Sequence, residues 1–145
     1  MKVRFIKLNP KASVPIYQSE QAAGADMHAC LDEPIVLVSG EHVLVPTGIA
    51  VELPEGYELQ IRPRSGLALK HGVTVLNSPG TVDSDYRGEL MALLVNHGSE
   101  SFKIKHGERI AQAVIAKHEN VFFEEVSEFS KTKRGTLGFG STGKH

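Results

Sequence analysis

Two aspartates, an aromatic and a run of turn formers crowd into Asn77-Ser-Pro-Gly-Thr-Val-Asp-Ser-Asp-Tyr-Arg-Gly-Glu-Leu90. Asp83 and Tyr86 fall near the bend that these turn formers predict. In a regular strand Asp83 and Asp85 share a face, whereas Tyr86, three residues after Asp83, does not, so a common pocket requires a bend. A solvated turn would carry the same residues. Arg64 and Ser65 lie in Arg62-Pro-Arg-Ser-Gly-Leu-Ala-Leu-Lys-His-Gly72, where free backbone N–H groups at a helix start, a guanidinium and a hydroxyl suit phosphate. An ordinary capped turn has the same composition. Gln112 is the one polar residue in the apolar run Ile110 to Ile115, and its amide needs backbone, ligand or water partners. Asp26 follows the small residues around Gly24, which permit close backbone approach. It reads equally as a surface acid at a bend. In the tail, Arg134, Ser141 and Thr142 are phosphate-binding types, and Phe139 stands between two glycines.

The elements that must position these residues are short strands. Tyr57 to Ile61 and Ile49 to Leu53 alternate with strict period two, and Pro34 to Val38 and His42 to Val45 are apolar runs separated by Ser39-Gly-Glu41. Val73 to Leu76 and Leu90 to Val95 predict strands buried on both faces, with a hairpin bend between them near Asp83 and Tyr86. Helical signal is confined to the segment after Pro63, with Ser65 as the expected N-cap and Gly72 as the stop. Fourteen glycines and seven prolines punctuate the rest at short intervals, so the expected fold is one all-β antiparallel domain. Residues 1–129 form that domain. The glycine-, hydroxyl- and lysine-rich segment 130–145 is expected to be a flexible arm.

Composition narrows the partners. A chain of 145 residues can bury a real core in one domain. Its net charge of −1 gives no global attraction to nucleic acid, so a polyanion must be held by local cations. No apolar run suggests a membrane span or signal peptide, and the single Cys30 reads as a small buried hydrophobe, which makes the cytoplasm the default. The seven histidines show no His-x-His or His-Glu-x-x-His spacing, which argues against a protein-ligated transition metal.

Five segments resemble, in order, the motifs of the trimeric deoxyuridine triphosphatases (dUTPases). They are Ala23-Gly-Ala-Asp-Met27, Pro63-Arg-Ser-Gly-Leu67, Gly80-Thr-Val-Asp-Ser-Asp-Tyr-Arg-Gly88, Gly107-Glu-Arg-Ile-Ala-Gln112 and Arg134-Gly-Thr-Leu-Gly-Phe-Gly-Ser-Thr-Gly143. The resemblance implies a β-clip or jelly-roll-like homotrimer whose active sites are shared between chains. It implies Mg²⁺-dependent hydrolysis of dUTP to dUMP and pyrophosphate, which keeps uracil out of DNA and supplies dUMP for thymidylate synthesis. By the same resemblance Asp83 is the base that activates water. Arg64, Ser65 and Gly66 contact phosphate, and Asp26 and Gln112 reach the waters of a metal held mainly by the phosphates. Asn77, Gly80, Thr81, Val82 and Met91 line the deoxyuridine pocket, and Tyr86 rejects ribose. Phe139 stacks on uracil while Arg134, Gly140, Ser141 and Thr142 close over the triphosphate.

The tail departs from the family at Leu137, which stands where glycine is usual, so either the arm is expected to close along a slightly different path or Leu137 is expected to pack on a neighbouring subunit. Two other classes fit less of the sequence. A dCTP deaminase-like relative would lack the Asp-x-x-Tyr-Arg-Gly stretch and the Phe-containing tail. A non-catalytic nucleotide-binding module would have lost Asp83 or the tail. Both features are present.

Overall fold

Leu59 and Ile61 turn inward while Glu58 and Gln60 turn outward, as the alternation of Tyr57–Arg62 requires. This strand is the fifth of ten in the computed structural model, which describes residues 1–138. The elements are β1 (Arg4–Lys7), β2 (Ala25–His28), β3 (Ile35–Leu37), β4 (His42–Glu52), β5 (Tyr57–Arg62), α1 (Ser65–His71), β6 (Val73–Val75), β7 (Gly80–Val82), β8 (Glu89–Asn96), β9 (Phe102–Ile104) and β10 (Arg109–Lys117). They form two four-stranded sheets, ordered β1-β4-β8-β6 and β2-β10-β5-β7, and a two-stranded sheet of β3 and β9. All the pairings are antiparallel. No helix among the described residues is long and apolar enough to cross a membrane.

One continuous core joins the three sheets, with Met27, Leu37, Ile49, Leu94, Ile104 and Ile110 among its fully enclosed side chains. Asn96 is buried with them and is fully engaged. Its amide donates to the carbonyls of Leu37 (2.9 Å) and Glu100 (2.8 Å), and its oxygen accepts the Gly98 N–H (2.9 Å). Cys30 is buried as expected, and burial pushes its thiol pKa up.

Several expectations change. The two runs His42–Val45 and Ile49–Leu53 are one strand, β4, whose pairing with β8 shifts register between Pro46 and Ala50, where Gly48 takes a φ of 69°. The expected hairpin forms: β6 and β8 pair antiparallel, with Val73 opposite Asn96 and Val75 opposite Leu94. Its connection is longer than a simple bend, because β7 within it pairs with β5 in the other sheet, so the 83–88 segment crosses back between sheets. Over its first half β8 is not buried on both faces: Leu90, Ala92 and Leu94 face the core, while Met91 and Leu93 are only partly covered. Ser65 is the first residue of α1 rather than its cap. Arg64 holds the N-cap position with extended backbone, and no side-chain cap bond is made.

The helix stop was read correctly. Gly72 is left-handed at φ 67°, and its N–H donates to the Ala68 carbonyl at 3.0 Å. A Cβ on Gly72 would sit 2.5 Å from the Gly98 backbone nitrogen, which cannot move freely. Gly72→Ala therefore combines a positive-φ penalty with a backbone clash. It should destabilise the fold by about 2 kcal/mol or more in urea denaturation, with no change expected if the two loops were loosely apposed.

Candidate active site

Beyond β7 the chain leaves the sheet in a tight turn. The Tyr86 N–H donates to the Asp83 carbonyl at 3.2 Å, which supplies the bend that a common pocket for these two residues requires. Arg87 secures the turn by donating to the Ser84 and Tyr86 carbonyls at 2.6 and 3.0 Å. The Tyr86 hydroxyl donates to the Glu89 carbonyl at 3.1 Å, fixing the ring at the mouth of a recess of about 320 Å³. That recess collects Asn77, Gly80, Thr81, Val82, Asp83, Tyr86 and Met91, all expected from the sequence, and adds Leu44, Ile61, Glu89 and Leu90. Gly80 is needed where β7 meets β5, because a Cβ there would lie 3.2 Å from the Ile61 Cβ and 3.3 Å from the Asn77 amide nitrogen. Asp83 is exposed at the rim. The volume and the mixed lining suit a nucleoside, with polar groups placed for orientation.

At the other edge of the same sheet lies a charged cluster. Asp26 is only 2% exposed and sits in β2 directly opposite Gln112 of β10. It is not a surface acid. Arg109 Nη1 lies 3.1 Å from its Oδ2, Arg64 Nε lies 3.3 Å from its Oδ1, and the Gln112 amide donates to Oδ1 at 3.3 Å. Arg64 also donates to the Arg109 backbone carbonyl at 3.1 Å, so both guanidiniums share one carboxylate and that of Arg64 is tied to β10 as well. Such pairing is what allows a carboxylate to be buried at all. Gln112 lies across Gly24, where a Cβ would come within 3.1–3.2 Å of the glutamine side chain. The small residue before Asp26 therefore serves the amide. Burial pushes the pKa of His28 down, with Asp26 opposing and Arg109 and Arg64 adding to the effect. Ser65 and Gly66 begin α1 beside Arg64 and are exposed.

Arg109 is the functional candidate that sequence reasoning missed. Arg109 and Gln112 are three apart and would face opposite ways in a regular strand. The register between β10 and β2 shifts between Arg109 and Ala111, so one extra residue turns both side chains onto Asp26. The only signal was the arginine inside Gly107-Glu-Arg-Ile-Ala-Gln112 itself. The recess and the cluster do not share lining residues, and β10 and β5 lie between their edge strands. Among the described tail residues, Arg134 Nε donates to the Leu137 carbonyl at 2.8 Å, and the Leu137 N–H donates to the Arg134 carbonyl at 3.2 Å. Leu137 is thus part of a local turn and is 61% exposed. Phe139, Gly140, Ser141 and Thr142 lie outside the described residues.

The donors around Asp26 and Gln112 are oxygens, which suit a hard cation such as Mg²⁺. Both Asp26 oxygens already meet cationic or amide donors, and no group of three His, Cys, Asp or Glu side chains among the described residues could enclose an ion.

Fold and site together place the protein in a class of antiparallel β-sheet nucleotide hydrolases. The Staphylococcus bacteriophage 80alpha dUTPase with dUPNHPP superposes with a TM-score of 0.88 at 27% identity, over 98% of each chain. The phage phi11 dUTPase of S. aureus, described with a structural Mg(II) ion, shares the fold at 23% identity and a TM-score of 0.81, over 90% of this chain and 100% of its own. The dUTPase family model matches residues 10–143. Deoxyuridine 5'-triphosphate nucleotidohydrolases of Treponema denticola and Nautilia profundicola are 59% and 57% identical, over 96% and 99% of this chain and 96% and 100% of theirs. The chain belongs to the dUTPase family, the dUTP diphosphatases, which are hydrolases of nucleotide metabolism.

The Asp26 cluster makes a direct prediction. Arg109→Ala should destabilise the protein by about 1–3 kcal/mol, and in the Asp26→Ala background the same change should cost much less. Urea denaturation of the four proteins checks this; strictly additive costs would mean that the contact carries no energy.

Proposed function

We propose that this chain hydrolyses dUTP to dUMP and pyrophosphate in a homotrimer, with each active site built from more than one copy. The observation that carries the reading is the convergence of Asn77, Thr81, Val82, Asp83, Tyr86 and Met91 on one nucleoside-sized recess. The uracil enters that recess between β7 and β8, where Asn77 and the exposed backbone edges of the loop offer hydrogen bonds. A narrow pocket excludes the thymine methyl by contact, since apolar affinity alone separates one methyl by only about 1–3 kcal/mol. Tyr86 stands against the sugar and excludes a 2'-hydroxyl.

Asp83 accepts a proton from the water that attacks the triphosphate, and the bond to the pyrophosphate leaving group breaks. An aspartate is a weak base at neutral pH, so charge stabilisation on the phosphates must supply much of the rate. Arg64, with Ser65 and Gly66, holds phosphate oxygens. Arg109 keeps the Asp26 carboxylate paired when Arg64 turns toward the anion. Asp26 and Gln112 would hold the waters of a Mg²⁺ bound with the substrate, and the cation would supply neutralisation of phosphate charge. Arg134, Gly140, Ser141 and Thr142 close over the triphosphate and Phe139 covers uracil, which excludes water and strengthens these contacts.

Sharing between copies is supported by two features. The recess and the Asp26 cluster occupy opposite edges of one sheet. After β10 the chain runs on without regular structure and leaves Phe122, Phe123 and Phe129 about nine-tenths exposed. Covering each such ring is worth about 1.5–3 kcal/mol, which a neighbouring copy would recover. The cytoplasm is the compartment this reading fits.

The test is pyrophosphate release with Mg²⁺ from dUTP, dCTP, dTTP and UTP, and only dUTP should react. Ammonia from dCTP, or no reaction, would contradict the proposal. Asp83→Ala should retain dUTP binding while kcat falls by about 10²–10⁴-fold, and near-normal turnover would remove Asp83 as the base.

A further inference from the structure

Gly88 ends the turn that carries Tyr86, and its backbone does not lie in the left-handed region. Glycine is therefore not there for its conformational freedom. A Cβ at this position would meet three atoms of one neighbour: it would overlap the Tyr86 hydroxyl oxygen, lie 2.5 Å from Cζ and 3.0 Å from Cε2. The ring lies flush on the glycine, and its hydroxyl reaches past it to the Glu89 carbonyl at 3.1 Å. Ordinary contact between carbons is about 3.5–4.0 Å, so a methyl at residue 88 would displace the ring by about 1 Å or more. Tyr86 is 46% exposed, so outward movement of the ring is unopposed.

We infer that Gly88 is a specificity-determining positioning residue: its missing side chain seats the Tyr86 ring against the sugar side of the recess and so sets the discrimination between deoxyribo- and ribonucleoside triphosphates. This rests on the reading of the recess as the deoxyuridine pocket. Gly88 itself touches no substrate and acts only through the ring. Two contacts define the seat, the flat glycine below and the Glu89 carbonyl at the tip, and a Cβ removes both at once. The displaced atoms end a side chain rather than belong to the backbone, so the fold tolerates the change while the sugar wall opens.

The experiment compares kcat/KM for dUTP and UTP in the wild type, Gly88→Ala, Tyr86→Ala and the double variant, with thermal unfolding of each. Gly88→Ala should lower the dUTP/UTP ratio by about tenfold or more, as expected for a misplacement near 1 Å, with little change in Tm. In the Tyr86→Ala background it should have no further effect, because the ring it would displace is gone. A wild-type ratio in Gly88→Ala, or an equal loss in the Tyr86→Ala background, overturns the inference. NMR of ring-labelled tyrosine provides a readout independent of turnover. A shifted Tyr86 signal in Gly88→Ala supports the seat, and an unshifted one overturns it. Should the wild type hydrolyse neither nucleotide, the functional reading has failed, and the tyrosine signal still decides whether Gly88 seats the ring.

Discussion

A carboxylate buried to 2% exposure cannot stand alone, and the arrangement around Asp26 follows from that constraint. Its oxygens take Arg109 on one side and Arg64 with Gln112 on the other. Meeting this need fixes the strand register at β2 and β10, places a bulge at Ile110, and draws the loop after β5 inward through Arg64. It also leaves a glycine at residue 24 so that the glutamine can lie flat. The same pairing gathers two guanidiniums where a polyanion would need them. In the proposed reaction one set of side chains would serve both stability and binding, with Arg64 exchanging carboxylate for phosphate while Arg109 stays.

At the opposite edge of the sheet the logic is geometric rather than electrostatic. β7 is three residues long, and the chain leaves it through a turn that passes from one sheet to the other. That crossing, within the connection of the β6–β8 hairpin, leaves a recess lined from both sheets. The turn is held by its own backbone bond and by Arg87, which allows an exposed segment to keep Asp83 and Tyr86 in fixed relation. Binding residues placed on a loop but held by such bonds are pre-organised without being buried.

Much of this was legible in the sequence for a physical reason. The expected recess residues, Asn77 to Met91, fall within fifteen positions, and alternation plus turn chemistry places them locally. Tyr86 and Asp83 needed a bend, and the bend is there. What could not be read depends on pairing between distant segments. Arg109 reaches Asp26 only because of a register shift that no local pattern announces. The hairpin of β6 and β8 formed as expected, but β7 within its connection pairs with β5, a long-range partner that no local pattern announces. β4 was read as two strands because Gly48 interrupts the alternation without ending the pairing. Ser65 has cap chemistry, yet Arg64 occupies the cap position, since the loop must first deliver its guanidinium to Asp26.

The central claim is that the recess and the Asp26 cluster from different copies make one active site. Co-expression of Asp83→Ala and Arg64→Ala chains, each inactive alone, tests it most directly. With one site shared between chains, random mixing restores both residues in about a quarter of the sites, so pyrophosphate release from dUTP should reappear. If mixed oligomers form and remain as inactive as the separate variants, the two halves belong to a single chain and the account is wrong.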